Sequence, residues 1–170
     1  MRCFKESSWD ELYQSAVDAF PRTTMRQHAT DPIDITNLTV VPFLGFKTLF
    51  LRSRALNEDR EYSPIVLVKG VIYREDRQPG VIEIEASDGE TYLFDRLSLA
   101  DHDVLLRCNC PDFYWRFNYY DHLDHSLYGR KRASYTATVN PGSANPLHMP
   151  GACKHIMKMM QVLFNSGIFR

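Results

Sequence analysis

Cys108, Cys110, Cys153 and His155 are the residues of this 170-residue chain best suited to chemistry. They stand in two close pairs, Cys108-Asn109-Cys110 and Cys153-Lys154-His155, separated by the 42 residues 111–152. Three thiolates and one imidazole complete a tetrahedral shell around Zn²⁺, and four protein ligands leave no open position for a substrate. The spacing therefore predicts a structural zinc site, with no catalytic residue among the four. A C-x-C pair offers both sulfurs from one tight turn. Cys153 and His155 fall on the first turn of a helix, whose partial positive charge favours the thiolate that zinc requires. His155 has to bind as the neutral imidazole, its other ring nitrogen held by a second group. The alternative, three cysteines that are merely buried apolar residues, leaves the paired spacing and the histidine unexplained.

Two other clusters carry chemistry-bearing side chains. Asp121-His122-Leu123-Asp124-His125 contains H-x-x-H and two carboxylates, which reads as a solvated loop before it reads as a second metal site or an acid–base pair. Gly129-Arg130-Lys131-Arg132 is a basic run beside Tyr128 and Tyr135. With Arg116 it forms a candidate contact set for a partner protein or, less favoured, for a phosphate backbone with stacking bases. Cys3, alone near a terminus, has no expected role. Neither a G-x-S-x-G motif nor a glycine-rich phosphate loop occurs, which speaks for a non-enzyme.

The C-x-C…C-x-H pattern resembles the SWIM zinc finger. CNCPDF at 108–113 and PGACKHIMKMM at 150–160 are similar to its two halves, and the resemblance covers residues 108–163, about a third of the chain. It implies zinc ligands at Cys108, Cys110, Cys153 and His155, in a strand-pair and helix module that contacts DNA or protein. The 42-residue spacer is longer than that family's usual one. The combination CNCPDFYWRF…YGRK…NP…PGACKH also resembles small SWIM-like proteins encoded among the structural genes of tailed phages. That second resemblance implies a virion component of tail, baseplate or neck, with the protein subunits of a larger assembly as partners; otherwise the expected location is the cytoplasm.

The elements that must position these residues can be read in order. Ser8-Trp9-Asp10-Glu11 matches the S-x-x-E capping box, and Trp9, Leu12, Ala16, Ala19 and Phe20 recur at helical spacing up to Pro21. A helix is expected over 8–20. Residues 21–45, with Pro21, Pro32 and Pro42 among polar residues, read as an extended arm ordered by a partner. From 46 to 107 the pattern is β, in runs at Lys47–Arg52, Ile65–Tyr73, Val81–Ala86, Thr91–Phe94 and Val104–Arg107, with an Asp88-Gly89 hairpin turn. Residues 111–152 hold eight aromatics and an irregular Pro/Gly-rich end. The last segment is a helix with Lys154, Lys158, Gln161 and Asn165 on one stripe, Ile156, Met159, Met160 and Leu163 on the other, and Gly167 at its C-cap. The fold class predicted is α+β in one domain: a small, mainly antiparallel sheet whose N-terminal and C-terminal helices flank it, the last tied to it by zinc through the module 108–170.

Composition sets the frame. No apolar run approaches the roughly 18 residues of a membrane span, and the N-terminus lacks a secretory signal. A reducing compartment is expected, where clustered cysteines bind metal rather than pair. Net charge is −1, unevenly spread: residues 1–107 hold 13 Lys/Arg against 18 Asp/Glu, residues 108–170 hold 7 against 3. That excess is too modest for a dedicated duplex-DNA binder.

Overall fold

The capping box at Ser8 closes as its residue types dictate. In the computed structural model, which describes residues 6–21, 25–132 and 144–170, the Ser8 Oγ accepts from the Glu11 N–H (3.4 Å) while the Glu11 carboxylate accepts from the Ser8 N–H (3.1 Å). Helix α1 (Trp9–Ala19) follows, burying Trp9, Leu12, Ala16 and Ala19. A single turn, α2 (Met25–His28), leads to the first strand. Cys3, Tyr135, Pro141 and Gly142 lie outside the described residues.

Residues 33–43 correct the expectation of an arm. They form β1 (Ile33–Phe43), an eleven-residue edge strand paired antiparallel with β2 (Thr48–Asn57). Pro42 does not break this ladder, for a geometric reason. The Val40 N–H and C=O both bond to Ser87, on the side away from β2, and Pro42, two residues on, faces the same way. Its missing N–H is therefore one the ladder never uses, and proline at such a place protects an open edge. The apolar alternation was hidden as well, because a bulge at Asn37 (φ 52°) shifts the register between Thr36 and Thr39.

After a turn at Glu58, β3 (Arg60–Tyr62) folds back on β2, then β4 (Ile65–Lys69) pairs with β2. The chain leaves this sheet at Gly70 (φ 72°), so the single run expected over 65–73 is cut in two. β5 (Tyr73–Arg74), β6 (Val81–Glu85) and β7 (Thr91–Asp95) build a second antiparallel sheet in the order β5-β7-β6. Its β6–β7 hairpin turns at Asp88-Gly89, as the D-G signal requires, with Gly89 at φ 84° and the Asp88 carboxylate accepting from the Glu90 N–H (2.9 Å). β8 (Val104–Arg107) returns to the first sheet beside β4, giving the order β1-β2-β4-β8 with β3 alongside β2.

Beyond Cys110 the aromatic spacer opens as a helical segment that the sequence reading had not assigned. A π-helical turn, Phe113–Phe117, runs into α3 (Asn118–Asp124), which ends at His125 in the left-handed conformation. Phe113, Phe117 and Asp121, four apart, are all buried. The last helix, α4 (Lys154–Asn165), lies against β1 and β2 with Ile156, Met159, Met160 and Leu163 fully buried. Burial of side chains of that size stabilises by about 1.5–3 kcal/mol each. Gly167 (φ 86°) follows the helix as expected, and the chain end is strapped to Leu97 and Leu99 by backbone hydrogen bonds. Both sheets, α1 and α4 feed one cluster of buried apolar side chains, which includes the three cysteines.

Candidate metal centre

Cys108 is delivered by the end of β8, Cys110 by the bend that follows, and Cys153 and His155 by the start of α4. The four donor atoms lie within 4.8 Å of one another, and each residue is 4% exposed or less. A tetrahedron of ligands about 2.3 Å from an ion has edges of about 3.8 Å, which this cage accommodates. The three cysteines are free thiols. Among the described residues no other group of three or more His, Cys, Asp or Glu side chains is placed to hold a metal.

Each arm of the cage is fixed by ordinary local structure. The side-chain oxygen of Asn109 accepts from the Ser63 N–H (2.7 Å), pinning the C-x-C loop to the β3–β4 connection. Pro111 opens the next helical turn, where its missing N–H costs nothing, and the Phe113 N–H points at the Cys110 sulfur (3.3 Å). Cys153 is the N-cap of α4, with no side-chain cap bond of its own, so its sulfur remains available. Behind His155, the Tyr62 ring lies 4.4 Å away and the Asn57 amide is 3.4 Å from Nε2.

The electrostatics fit a dication. Burial pushes the Cys108 and Cys153 thiols up, while hydrogen bonds from Cys108 and then Cys153 hold the Cys110 thiol far below its usual value. One negative charge is thus easily carried among three crowded sulfurs, and three would need a cation at the centre. The Nδ1 of His155 is buried with no hydrogen-bond partner among the described residues, a costly arrangement unless a metal takes its lone pair. With Nδ1 as ligand, Nε2 carries the hydrogen, and the Asn57 amide has only to present its oxygen to become the second group the sequence demanded. A metal held here would supply structural cross-linking between β8 and α4.

The remaining candidates are dispersed. Arg116 is ion-paired to Asp112 and lies over the Phe20 ring (5.4 Å), so it does not join the basic run. Arg132 stacks over Tyr114 (5.7 Å) and Trp115 (5.4 Å), two exposed rings in edge contact, and its Nε and Nη1 are buried without hydrogen-bond partners among the described residues. The Arg130 carbonyl accepts from Arg107, while the Arg130 and Lys131 side chains are exposed. His122 and His125 line a recess of about 250 Å³ with Glu6, Lys69, Leu105 and Leu127. Asp121 has a different place. It is fully buried, one carboxylate oxygen accepting from the Gly151 N–H (2.8 Å), and so it holds the strand of chain that leads into Cys153. Burial pushes its carboxyl well above the usual carboxylate range. The solvated loop expected at 121–125 is thereby corrected, since 118–124 are helical and Asp121 is buried. The roles of Asn57, Asn109 and Gly151 were missed, because they depend on neighbours 30 to 98 residues distant.

Fold and cage together define an α+β protein with a closed Cys₃His candidate metal centre. No protein-family model matches the chain, and no significant match is found among curated proteins or solved structures. The likeness to the SWIM finger therefore rests on the sequence motif alone, and the structure adds a four-residue cage that could hold a metal.

Proposed function

We propose that this chain is a non-enzymatic, zinc-stabilised structural and protein-interaction module. The observation that carries the reading is the buried cage of four ligand-type side chains. Four protein ligands satisfy zinc without water, and a shell of that kind staples elements together instead of activating a substrate. Elemental analysis of the purified chain tests it directly: one zinc per chain is expected, and a folded preparation free of metal overturns it. The resemblance to small tailed-phage structural proteins supports a virion component of tail, baseplate or neck as the finer form of this reading, tested by co-sedimentation with intact particles. Among the described residues no helix is long and apolar enough to cross a membrane.

A nucleic-acid-binding module is the second reading, favoured by Arg132 on the exposed Tyr114 and Trp115 rings. Stacking platforms with basic neighbours suit single strands. Oligonucleotide binding whose affinity falls steeply with salt supports it; weak, salt-insensitive retention removes it.

A further inference from the structure

Two oppositely charged surfaces sit on opposite edges of the five-stranded sheet. The first is the small sheet. Residues 73–95 contain Glu75, Asp76, Glu83, Glu85, Asp88, Glu90 and Asp95 against Arg74 and Arg77, a net charge of 2 − 7 = −5. Arg74 is taken by Asp95 and Arg77 by Glu83, and the Asp88 carboxylate accepts from the Glu90 N–H and the Tyr92 hydroxyl, while Glu75, Asp76, Glu85 and Glu90 are exposed without an ion pair among the described residues. This sheet joins the β1 edge, where Ser87 bonds to Val40. The second surface is Arg107, Arg130, Lys131 and Arg132, none with a carboxylate partner among the described residues, beside Tyr114 and Trp115 (47% exposed). It joins the β8 edge, where Leu106 bonds to Ser126 and Tyr128. From β1 to β8 the order β1-β2-β4-β8 interposes three strand spacings, about 14 Å. That exceeds the Debye length of about 10 Å at 0.1 M salt, so the two surfaces barely neutralise each other within one copy.

We propose that they meet between copies: the Arg107/Arg130–Arg132/Trp115 surface of one chain docks on the acidic β5-β7-β6 sheet of the next, head to tail. The inference deepens the interaction-module reading and names the partner as a second copy of this chain. Its ground is charge complementarity carried on one polypeptide: among the described residues, four cations without a carboxylate partner face four exposed carboxylates without an ion pair. Trp, Tyr and Arg, the residue types enriched at the centres of interfaces, stand in the basic surface. Because the two surfaces differ, the contact is heterologous and adds copies beyond two, closing into a ring or growing as a filament.

Sedimentation velocity of the purified full chain tests this. At about 0.1 M salt, species larger than a dimer should appear as concentration rises, and they should return to monomer near 1 M salt, where the Debye length is about 3 Å. The triple variant Arg130→Glu, Lys131→Glu, Arg132→Glu should stay monomeric, as should the variant with Glu75, Asp76, Glu85 and Glu90 all changed to Lys. Mixed in equal amounts, the two should associate again, since each then supplies the surface the other lacks. Zinc content measured on the same samples reports the metal centre separately, so a failed contact and a failed cage are told apart. A parent that remains monomeric at low salt overturns the proposal. So does a parent that stays monomeric but holds a single-stranded oligonucleotide through Arg130–Arg132, which assigns the basic surface to nucleic acid.

Discussion

At the scale of single residues, two side chains near the cage separate roles that overlap in space. Cys153 is both a candidate ligand and the N-cap of α4. Serine is among the best N-caps, and the cap bond it adds is worth about 1 kcal/mol. Cys153→Ser should therefore improve the helix start while removing a ligand, and the net result decides which role matters. We expect zinc stoichiometry to fall well below one and the melting temperature to drop; an unchanged or raised melting temperature would mean that the sulfur is only a cap. Asp121 offers a test by pH. A buried carboxyl whose folded-state pKa is raised stabilises fully below the ordinary carboxyl pKa of about 3.9 and loses that contribution as pH rises through the raised value. Asp121→Asn keeps the oxygen that accepts from the Gly151 N–H but does not ionise. The stability difference, variant minus parent, should grow in the variant's favour from pH 4 to pH 8. Metal linkage acts in both proteins and largely cancels, so a difference flat with pH contradicts the buried neutral carboxyl.

At the scale of elements, Gly151 shows how tightly the segment before Cys153 is held. A Cβ there would stand 2.8 Å from Phe117 Cε1 and 2.9 Å from the Ala16 Cβ. The phenyl ring can swing, but the Ala16 methyl is fixed to α1, so α1 itself must shift. Gly151→Ala should cost about 1–3 kcal/mol in chemical denaturation, as overpacking does, with zinc still bound. An effect near zero would show that α1 is loosely seated. Elements with self-contained signals were legible in advance. The Ser8/Glu11 box, the Asp88-Gly89 turn and the two stripes of α4 depend on residues within a few positions, and so do the paired ligands. β1 was not legible, because Pro42 reads as a strand breaker until the edge position is known and the Asn37 bulge breaks the alternation. Nor was the break at Gly70 that divides the β region into two sheets. The helical segment after Pro111 was obscured because Asp121, an acid, takes a core position that its pattern needs to be apolar.

At the scale of the whole molecule, the question is whether the metal holds only the last third or the entire fold. A self-contained zinc module over 108–170 would loosen on losing the metal and leave the N-terminal helix less affected. Packing argues for wider coupling. Trp9, Leu12 and Ala16 of α1 belong to the same buried cluster as Cys108, Cys110, Cys153 and the apolar stripe of α4, and Gly151 abuts Ala16 directly. Whatever binds only the folded state stabilises it by mass action, about 4 kcal/mol when present at a thousand times its dissociation constant, and a shared core spreads that loss everywhere. The chain has two tryptophans, Trp9 buried in α1 and Trp115 exposed beside the cage. In a Trp115→Phe variant, fluorescence reports α1 alone, while far-UV circular dichroism reports all helices. On titration with a strong chelator we expect both signals to change together, with one midpoint, and thermal unfolding to move to lower temperature as a single transition. Trp9 fluorescence that holds steady while helical signal falls would mean that α1 and the sheets stand without the metal, and that the cage staples only its own third of the chain.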